Sequence, residues 1–199
     1  MSTIPEERVT FGRNMYTKKI AGDLPVIISA PHGGHLRPKD IANRQSGLNV
    51  KADRGTALLG ICIVKTLFEN YGKYPYCVQC RLYRRKLDVN REIKEATDNN
   101  PDSEPYWHEY HQFINECIDD VLQRFGKGFY FDIHGHGHKI QRVELGYNLS
   151  ASTLRGGPEV MNSEPVLRRS SVYSDEWREK CTHRELVCGS FSSSRVINP

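Results

Sequence analysis

Residues 24–35 read Leu-Pro-Val-Ile-Ile-Ser-Ala-Pro-His-Gly-Gly-His. A short apolar run that ends at glycines is typical of a strand buried inside a parallel or mixed sheet. Gly33 and Gly34 allow a sharp turn and a close approach of the backbone to a ligand. Open α/β sheets carry their functional sites in the loops that follow such strands, so His32 is the first candidate functional residue.

Predicted helices and strands alternate along the chain after this strand. Apolar residues recur at helical spacing in residues 57–71 and again within 102–125. Three apolar stretches have the length of strands, at 76–83, 128–134 and 142–149. The alternation predicts an α/β fold, and 199 residues without a repeat or an internal boundary predict a single domain over the whole chain.

The composition excludes several classes of protein. Hydrophobic residues make up 38% and charged residues 26%, which is the profile of an ordinary soluble globular domain. No apolar run is long enough to cross a bilayer, so we expect no membrane association. Residues 1–13 lack the apolar stretch of a signal peptide, which predicts a cytoplasmic location.

The charge is only mildly basic, at +4 from 28 Lys and Arg against 24 Asp and Glu. The densest basic segment is residues 81–86, and it is the one stretch that resembles a nucleic-acid contact. A nucleic-acid-binding domain more often has a dense basic face with interleaved aromatic residues. We therefore expect no nucleic-acid partner and rank that function last.

Cysteine usage points to reduced thiols. Six cysteines in 199 residues without a secretory signal do not make a disulfide scaffold. Cys77 and Cys80 have the CxxC spacing, but they fall in a predicted strand and no second pair with zinc-ribbon spacing follows. We expect reduced thiols, some of them buried, rather than a structural or redox role for this pair.

Three side chains from separate segments are candidate metal ligands. His32 ends the first predicted strand, His134 ends the strand at 128–134, and Asp53 precedes the helix at 57–71. If the strands are parallel neighbours, all three reach one edge of the sheet. Two imidazoles, a carboxylate and an open position are the usual composition of a catalytic zinc site. Asp53 could equally be only a helix cap, because a carboxylate is favoured at a helix N-terminus.

The histidine clusters leave other ligand choices open. His35, His136 and His138 lie in the same two loops as His32 and His134 and are alternative ligands. Asp132 shares a strand face with His134, so it is a candidate partner that orients an imidazole, or else an ordinary buried acid.

A second set of polar residues follows the strand at 76–83. Asn90 and Arg91 stand at its exit, where an arginine beside an asparagine can hold a carboxylate, with Arg84 and Arg85 as possible helpers. The alternative is a solvated turn in which an arginine pairs with Asp88 at the surface.

Five ordered segments together resemble the N-formylglutamate amidohydrolase family. They lie within residues 24–149 and read Ser-Ala-Pro-His-Gly-Gly at 29–34, Asp-Arg-Gly-Thr at 53–56, Arg-Lys-Leu-Asp-Val-Asn-Arg at 85–91, Phe-Asp-Ile-His-Gly-His at 131–136 and Arg-Val-Glu-Leu-Gly-Tyr at 142–147. The resemblance implies the zinc-carboxypeptidase-like, phosphorylase/hydrolase-like fold, with a central mixed sheet between layers of helices.

The same resemblance implies an activity and assigns the site. One zinc ion would be bound by His32, Asp53 and His134, while Asn90 and Arg91, with help from Arg84, would hold the carboxylate of a small acidic substrate. The reaction would be hydrolysis of a carbon–nitrogen amide bond in an N-acyl amino acid or a peptide-like relative, by zinc-activated water.

The sequence also departs from the family's pattern. A Gly-Gly-Tyr segment, a following His-Gly and a final strand ending in glutamate are expected after residue 149 and are not found. By analogy with carboxypeptidases that late glutamate is the general base, and Glu144 is the candidate that remains for this role. The departure leads us to expect a C-terminally truncated member and supports an alternative function, a non-catalytic relative that retains a metal or anion pocket. Metal identity and oligomeric state stay open.

Overall fold

The computed structural model describes residues 3–45, 48–137, 139–140, 143–146, 155–156 and 186–192. Within these ranges seven strands form one sheet, in the order β1-β2-β4-β3-β5-β7-β6. The strands are β1 Val9–Phe11, β2 Thr17–Ile20, β3 Val26–Ala30, β4 Tyr76–Cys80, β5 Gly128–His134, β6 Glu144–Gly146 and β7 Leu186–Ser192.

The sheet is mixed, as the sequence predicts. The four central strands β4, β3, β5 and β7 are parallel, while β1, β2 and β6 run antiparallel to their neighbours. Parallel neighbours end at the same edge, so the loops after β3, β4 and β5 meet there.

Helices cover both faces of the sheet. They are α1 Thr56–Tyr71, the short α2 Ile93–Thr97 and α3 Glu104–Phe125. One apolar cluster packs α3 against the sheet through Tyr110, Ile114 and Ile118, and the other packs α1 through Val64. The result is the predicted three-layer α/β architecture, and burial on both faces explains the apolar β3 and β4 sequences.

The ends of the predicted helices agree closely with the structure, whereas the strand predicted at 76–83 ends at Cys80. The α3 helix stops at Gly126, whose φ of 74° is left-handed and whose amide donates to the Leu122 carbonyl oxygen at 2.9 Å. The predicted strand at 142–149 is observed as β6 over 144–146, and residues 142 and 147–149 lie outside the described ranges. Strands β1, β2 and β7 were not predicted.

Cys77 and Cys80 lie on β4, and both are buried and free. Burial raises the pKa of each thiol to about 12, which keeps them protonated and unreactive at neutral pH. The CxxC spacing is therefore part of the core, as expected.

No helix in the described part of the chain is both long and apolar enough to cross a membrane.

The loop after β3 packs closely against the exit of β4. Leu36 donates its amide to the Arg81 carbonyl oxygen at 2.9 Å, and Tyr83 donates its own to the Leu36 carbonyl oxygen at 2.8 Å. A Cβ at Gly34 would overlap the backbone of Arg81 and Leu82. This contact holds the His32 loop beside residues 84–91, and it requires glycine because backbone cannot yield.

Replacing Gly34 with alanine tests this close approach. We expect Gly34→Ala to lower the free energy of unfolding by about 1–3 kcal/mol, the usual cost of forcing an extra group into packed structure. Gly137→Ala is the matched control, because no described atom lies within 4 Å of a Cβ at that position. Urea denaturation of both variants measures the difference, and equal stabilities would contradict the packing argument.

Candidate metal centre

Three segments deliver one side chain each to the shared edge of the sheet. His32 follows β3, His134 ends β5, and Asp53 lies three residues before α1. The Asp53 amide donates to the His32 carbonyl oxygen at 3.0 Å, which fixes the start of α1 against the loop after β3. The convergence expected from parallel neighbouring strands is therefore present.

The three side chains form a small triangle of donor atoms. His32 Nδ1 and His134 Nδ1 are 3.2 Å apart, and each is 3.3 Å from Asp53 Oδ2. Tetrahedral ligands at about 2.0–2.1 Å from a zinc ion lie about 3.3–3.4 Å from one another. The triangle therefore has the size of one face of a tetrahedral metal site, and the donor set could hold a metal ion.

The far nitrogen of each imidazole faces a buried carboxylate. His32 Nε2 donates to Asp88 Oδ1 at 2.7 Å, and His134 Nε2 donates to Asp132 Oδ2 at 2.6 Å. A proton held on Nε2 leaves the Nδ1 lone pair directed into the triangle. Carboxylate partners of this kind orient metal-binding histidines and raise their basicity. The expected role of Asp132 matches this geometry.

Asp88 is the residue whose role the sequence analysis missed. A solvated turn at residues 88–91 would place Asp88 at the surface. That interpretation is wrong for Asp88, because its side chain has no exposed surface. The flanking apolar residues Leu87 and Val89, both 1% exposed, are the signal that could have indicated burial.

Arg84 points toward carboxylates of the protein itself. Its Nε donates to Asp88 Oδ2 at 2.8 Å, and its Nη1 lies 3.7 Å from Asp53 Oδ1. The residue is only 6% exposed. This position suits a residue that orients two carboxylates better than one that helps to hold a substrate.

A buried hydroxyl chain supports Asp132. The Ser29 hydroxyl donates to Asp132 Oδ1, and Tyr130 OH lies 2.6 Å from Ser29 Oγ. All three residues are at most 1% exposed. The sequence predicts Ser29 only as part of a strand, but a polar residue within an apolar run is a signal that marks it.

Of the two predicted anion-binding residues, Asn90 lies beside the triangle and Arg91 lies at the surface. Asn90 Nδ2 is 3.3 Å from His134 Nε2, and the Asn90 amide donates to Asp88 Oδ1 at 3.1 Å. The Arg91 side chain is 40% exposed, and its Nε donates to Glu95 Oε1 at 3.1 Å. Arg91 therefore sits at the surface next to Asn90, in a pair that solvent screens.

Glu144 is in register with His134 across the sheet, two strands away. Ser192 of β7 pairs with His134 on one side and with Glu144 on the other. Residues paired in register share a face, and two strand spacings separate the Cα atoms of His134 and Glu144 by about 10 Å. Glu144 is half-buried.

The other histidines of the two loops are not part of the triangle. His35 is exposed and His136 is half-buried, and neither belongs to the cluster formed by the described residues. His138 lies outside the described residues. Arg85, the second possible helper, is exposed.

The electrostatics of the triangle favour charged side chains. Burial disfavours the imidazolium of His134, but Asp132 and Asp53 outweigh it and raise the pKa of His134 to about 10. Burial likewise opposes ionisation of Asp53, yet its contacts with His134 and His32 and the Gly135 amide hold the pKa of that carboxyl well below its usual range. His32 and Arg84 lower the pKa of Asp88 against the same effect of burial. In the absence of metal, the second proton of His134 therefore supplies positive charge inside the triangle, where a metal ion would otherwise supply it.

A solved structure has a similar fold. The chain superposes on an N-formylglutamate amidohydrolase from Ralstonia eutropha JMP134 with a TM-score of 0.57, covering 88% of this chain and 83% of that chain. The two sequences are 11% identical, so the similarity establishes the fold and not membership of the family. No protein-family model matches the sequence, and no curated protein matches it.

The raised pKa of His134 predicts how the metal-free protein responds to pH. A group whose pKa is raised in the folded state contributes its full stability below its unfolded pKa of about 6.5 and loses it as the pH rises. With a folded pKa of about 10, the loss runs between about pH 6.5 and 10. The stability advantage over His134→Gln should therefore shrink across that window.

Urea denaturation in the presence of a chelator at several pH values measures this advantage. His35→Gln is the control, because His35 is exposed and should show no such trend. An advantage of wild type over His134→Gln that stays constant from pH 6 to pH 10 would contradict the assignment.

Proposed function

We propose that the chain is a zinc-dependent hydrolase that cleaves a carbon–nitrogen amide bond in a small acidic N-acyl amino acid or a peptide-like relative. The observation that carries the proposal is the triangle of His32, Asp53 and His134 atoms, with separations of 3.2–3.3 Å. Nitrogen and oxygen donors in this number, with room for a fourth ligand, are what a catalytic zinc ion takes.

The three proposed ligands hold their positions because each one also forms a hydrogen bond to another protein group. Asp88 and Asp132 keep the Nε2 protons of the two imidazoles, and the Gly135 amide donates to Asp53 Oδ2 at 3.0 Å. Both imidazoles therefore direct Nδ1 into the triangle, where a bound metal would replace the proton that His134 carries in its absence. A bound zinc ion lowers the pKa of a coordinated water toward neutrality and polarises a carbonyl oxygen.

The substrate class rests on Asn90 and Arg91 and on the similar fold. The matched solved structure is named an N-formylglutamate amidohydrolase, and its fold at 11% identity is the basis for choosing amides of this type. Asn90 lies beside His134, and the exposed Arg91 follows it, so a substrate carboxylate held there keeps the amide near the triangle. Arg91 would exchange its pair with Glu95 for a bidentate bond to the substrate.

Glu144 is the proposed general base. Glu144 and His134 both pair in register with Ser192. The Glu144 side chain is therefore directed to the same face of the sheet as the His134 imidazole. From there the carboxylate would accept a proton from the attacking water and return it to the leaving nitrogen. The Cα separation of about 10 Å leaves space for water and an amide between the two side chains.

Metal content tests the ligand assignment first. We expect about one zinc per purified chain, and loss of that zinc in His32→Ala and in His134→Ala, because each variant removes one of three protein ligands. Elemental analysis of the proteins measures it. His35→Ala is the control, since His35 is in the same loop and exposed. Zinc retained in His134→Ala, or lost equally in His35→Ala, would contradict the assignment.

Steady-state kinetics test the reaction and its residues. On N-formylglutamate and other N-acyl amino acids, Glu144→Gln should lower kcat by about 10²-fold or more while zinc content is unchanged, the scale of general-base catalysis. Arg91→Ala should chiefly raise KM, because it removes binding that does not change during the reaction. Arg85→Ala, an exposed arginine of the same segment, is the control.

A zinc-loaded chain that hydrolyses none of these amides would contradict the enzyme proposal. That outcome would favour the alternative, a relative that retains a metal or anion pocket without catalysis.

A further inference from the structure

A second buried arginine stands behind the metal centre. Arg44 lies in the segment between β3 and α1, and its side chain is 1% exposed. A buried guanidinium is costly unless its charge and its donors are paired. Arg44 is neither one of the proposed metal ligands nor one of the proposed substrate-binding residues.

The Arg44 donors connect three chain segments. Nε and Nη2 donate to the Glu95 carbonyl oxygen at 3.2 and 3.0 Å, and Nη1 donates to the carbonyl oxygens of Asn49 and Arg84 at 3.1 and 3.0 Å. All of these acceptors are neutral. The carboxylate nearest its charge is Asp88, whose Oδ2 lies 3.7 Å from Nη1.

Asp88 links Arg44 to a metal ligand. Its Oδ1 accepts from His32 Nε2 at 2.7 Å, and its Oδ2 accepts from Arg84 Nε at 2.8 Å. Asp88 has no exposed surface, so its orientation is set by the protein groups that contact its two carboxylate oxygens. Arg44 is one of the two arginines among these groups, and it also holds the Arg84 backbone in place.

We propose that Arg44 is a positioning residue for the metal centre, which holds the Asp88 carboxylate in the orientation that fixes His32 with Nδ1 toward the metal. The inference rests on the proposed metal site. It adds a residue outside the triangle whose loss should weaken metal binding without removing a ligand.

Lys86 provides a matched control for a purely structural role. It is also a buried cation at the exit of β4, and its Nζ donates to the Ile41 carbonyl oxygen at 2.6 Å, so it too anchors the segment that carries Arg44. It forms no ion pair with Asp88 among the described contacts. A structural role alone predicts that Arg44→Met and Lys86→Met affect metal binding alike.

The first experiment is a Co²⁺ titration of wild type, Arg44→Met, Arg44→Lys and Lys86→Met, followed by the visible d–d absorption of the bound ion. Circular dichroism establishes that each protein is folded at the temperature used. We expect Arg44→Met to raise the Kd about tenfold, the scale seen when a partner of a metal-binding histidine is removed. Arg44→Lys should recover part of the lost Co²⁺ affinity, because lysine restores the positive charge but not the several N–H donors of the guanidinium group. Lys86→Met should leave the Kd within about twofold of wild type.

The second readout needs no metal. In ¹H–¹⁵N spectra of the chelated protein, the His32 Nε2 proton should be seen in wild type and Lys86→Met and be lost or shifted in folded Arg44→Met. A folded Arg44→Met with an unchanged Co²⁺ Kd and an unchanged His32 signal would overturn the proposal, as would equal effects of Arg44→Met and Lys86→Met.

The two readouts separate this inference from the proposed function. If wild type binds no Co²⁺ but Arg44→Met still loses the His32 signal, the metal-dependent function is overturned while the positioning role of Arg44 is supported.

Discussion

Two imidazole nitrogens and a carboxylate oxygen lie within 3.2–3.3 Å of one another at the edge of the sheet, and the rest of the site depends on this convergence. Lone pairs directed at one another across such distances repel unless a positive charge lies between them. In the metal-free chain a proton on His134 supplies that charge, which agrees with a pKa of about 10. A metal ion would supply it in the same place, so the protein holds the geometry of the site before metal binds.

The surrounding side chains stabilise this arrangement through alternating charges. Behind His32 lies Asp88, and behind Asp88 lie Arg84 and Arg44. Each charge in this series has a neighbour of opposite sign, which is the condition for keeping charges in a buried position. Behind His134 lies Asp132, whose Oδ1 accepts a hydrogen bond from the Ser29 hydroxyl, and Ser29 in turn contacts Tyr130 OH. The two candidate metal-ligand histidines are therefore supported in different ways.

The sequence predicted that His32, Asp53 and His134 would meet, but it did not predict the buried Asp88 that hydrogen-bonds to His32. His32, Asp53 and His134 could be found because parallel strands end at one edge, a rule that needs only the order of elements. The burial of Asp88 could not be found this way, since it depends on the loop after β3 packing against the exit of β4, as seen in the backbone bonds of Leu36. Arg84 was interpreted as a substrate contact because a sequence does not show which protein carboxylates already surround an arginine.

The missed strands have a similar explanation. Strand β2 carries Lys18 and Lys19, and charged residues of this kind suit strands near the edge of a sheet but weaken the apolar signal used for prediction. The pairing of β7 beside β5 joins segments more than fifty residues apart, and no local pattern specifies it. Tertiary pairing, not local preference, decides these elements.

X-ray absorption at the zinc edge of the zinc-loaded chain tests the central claim most directly. The account predicts one zinc environment made only of nitrogen and oxygen at about 2.0–2.1 Å, with the multiple-scattering pattern of two imidazoles. A sulfur shell at about 2.3 Å would place the metal on cysteine, and the absence of any bound zinc would leave the triangle as a buried ion-pair cluster. Either result would contradict the account.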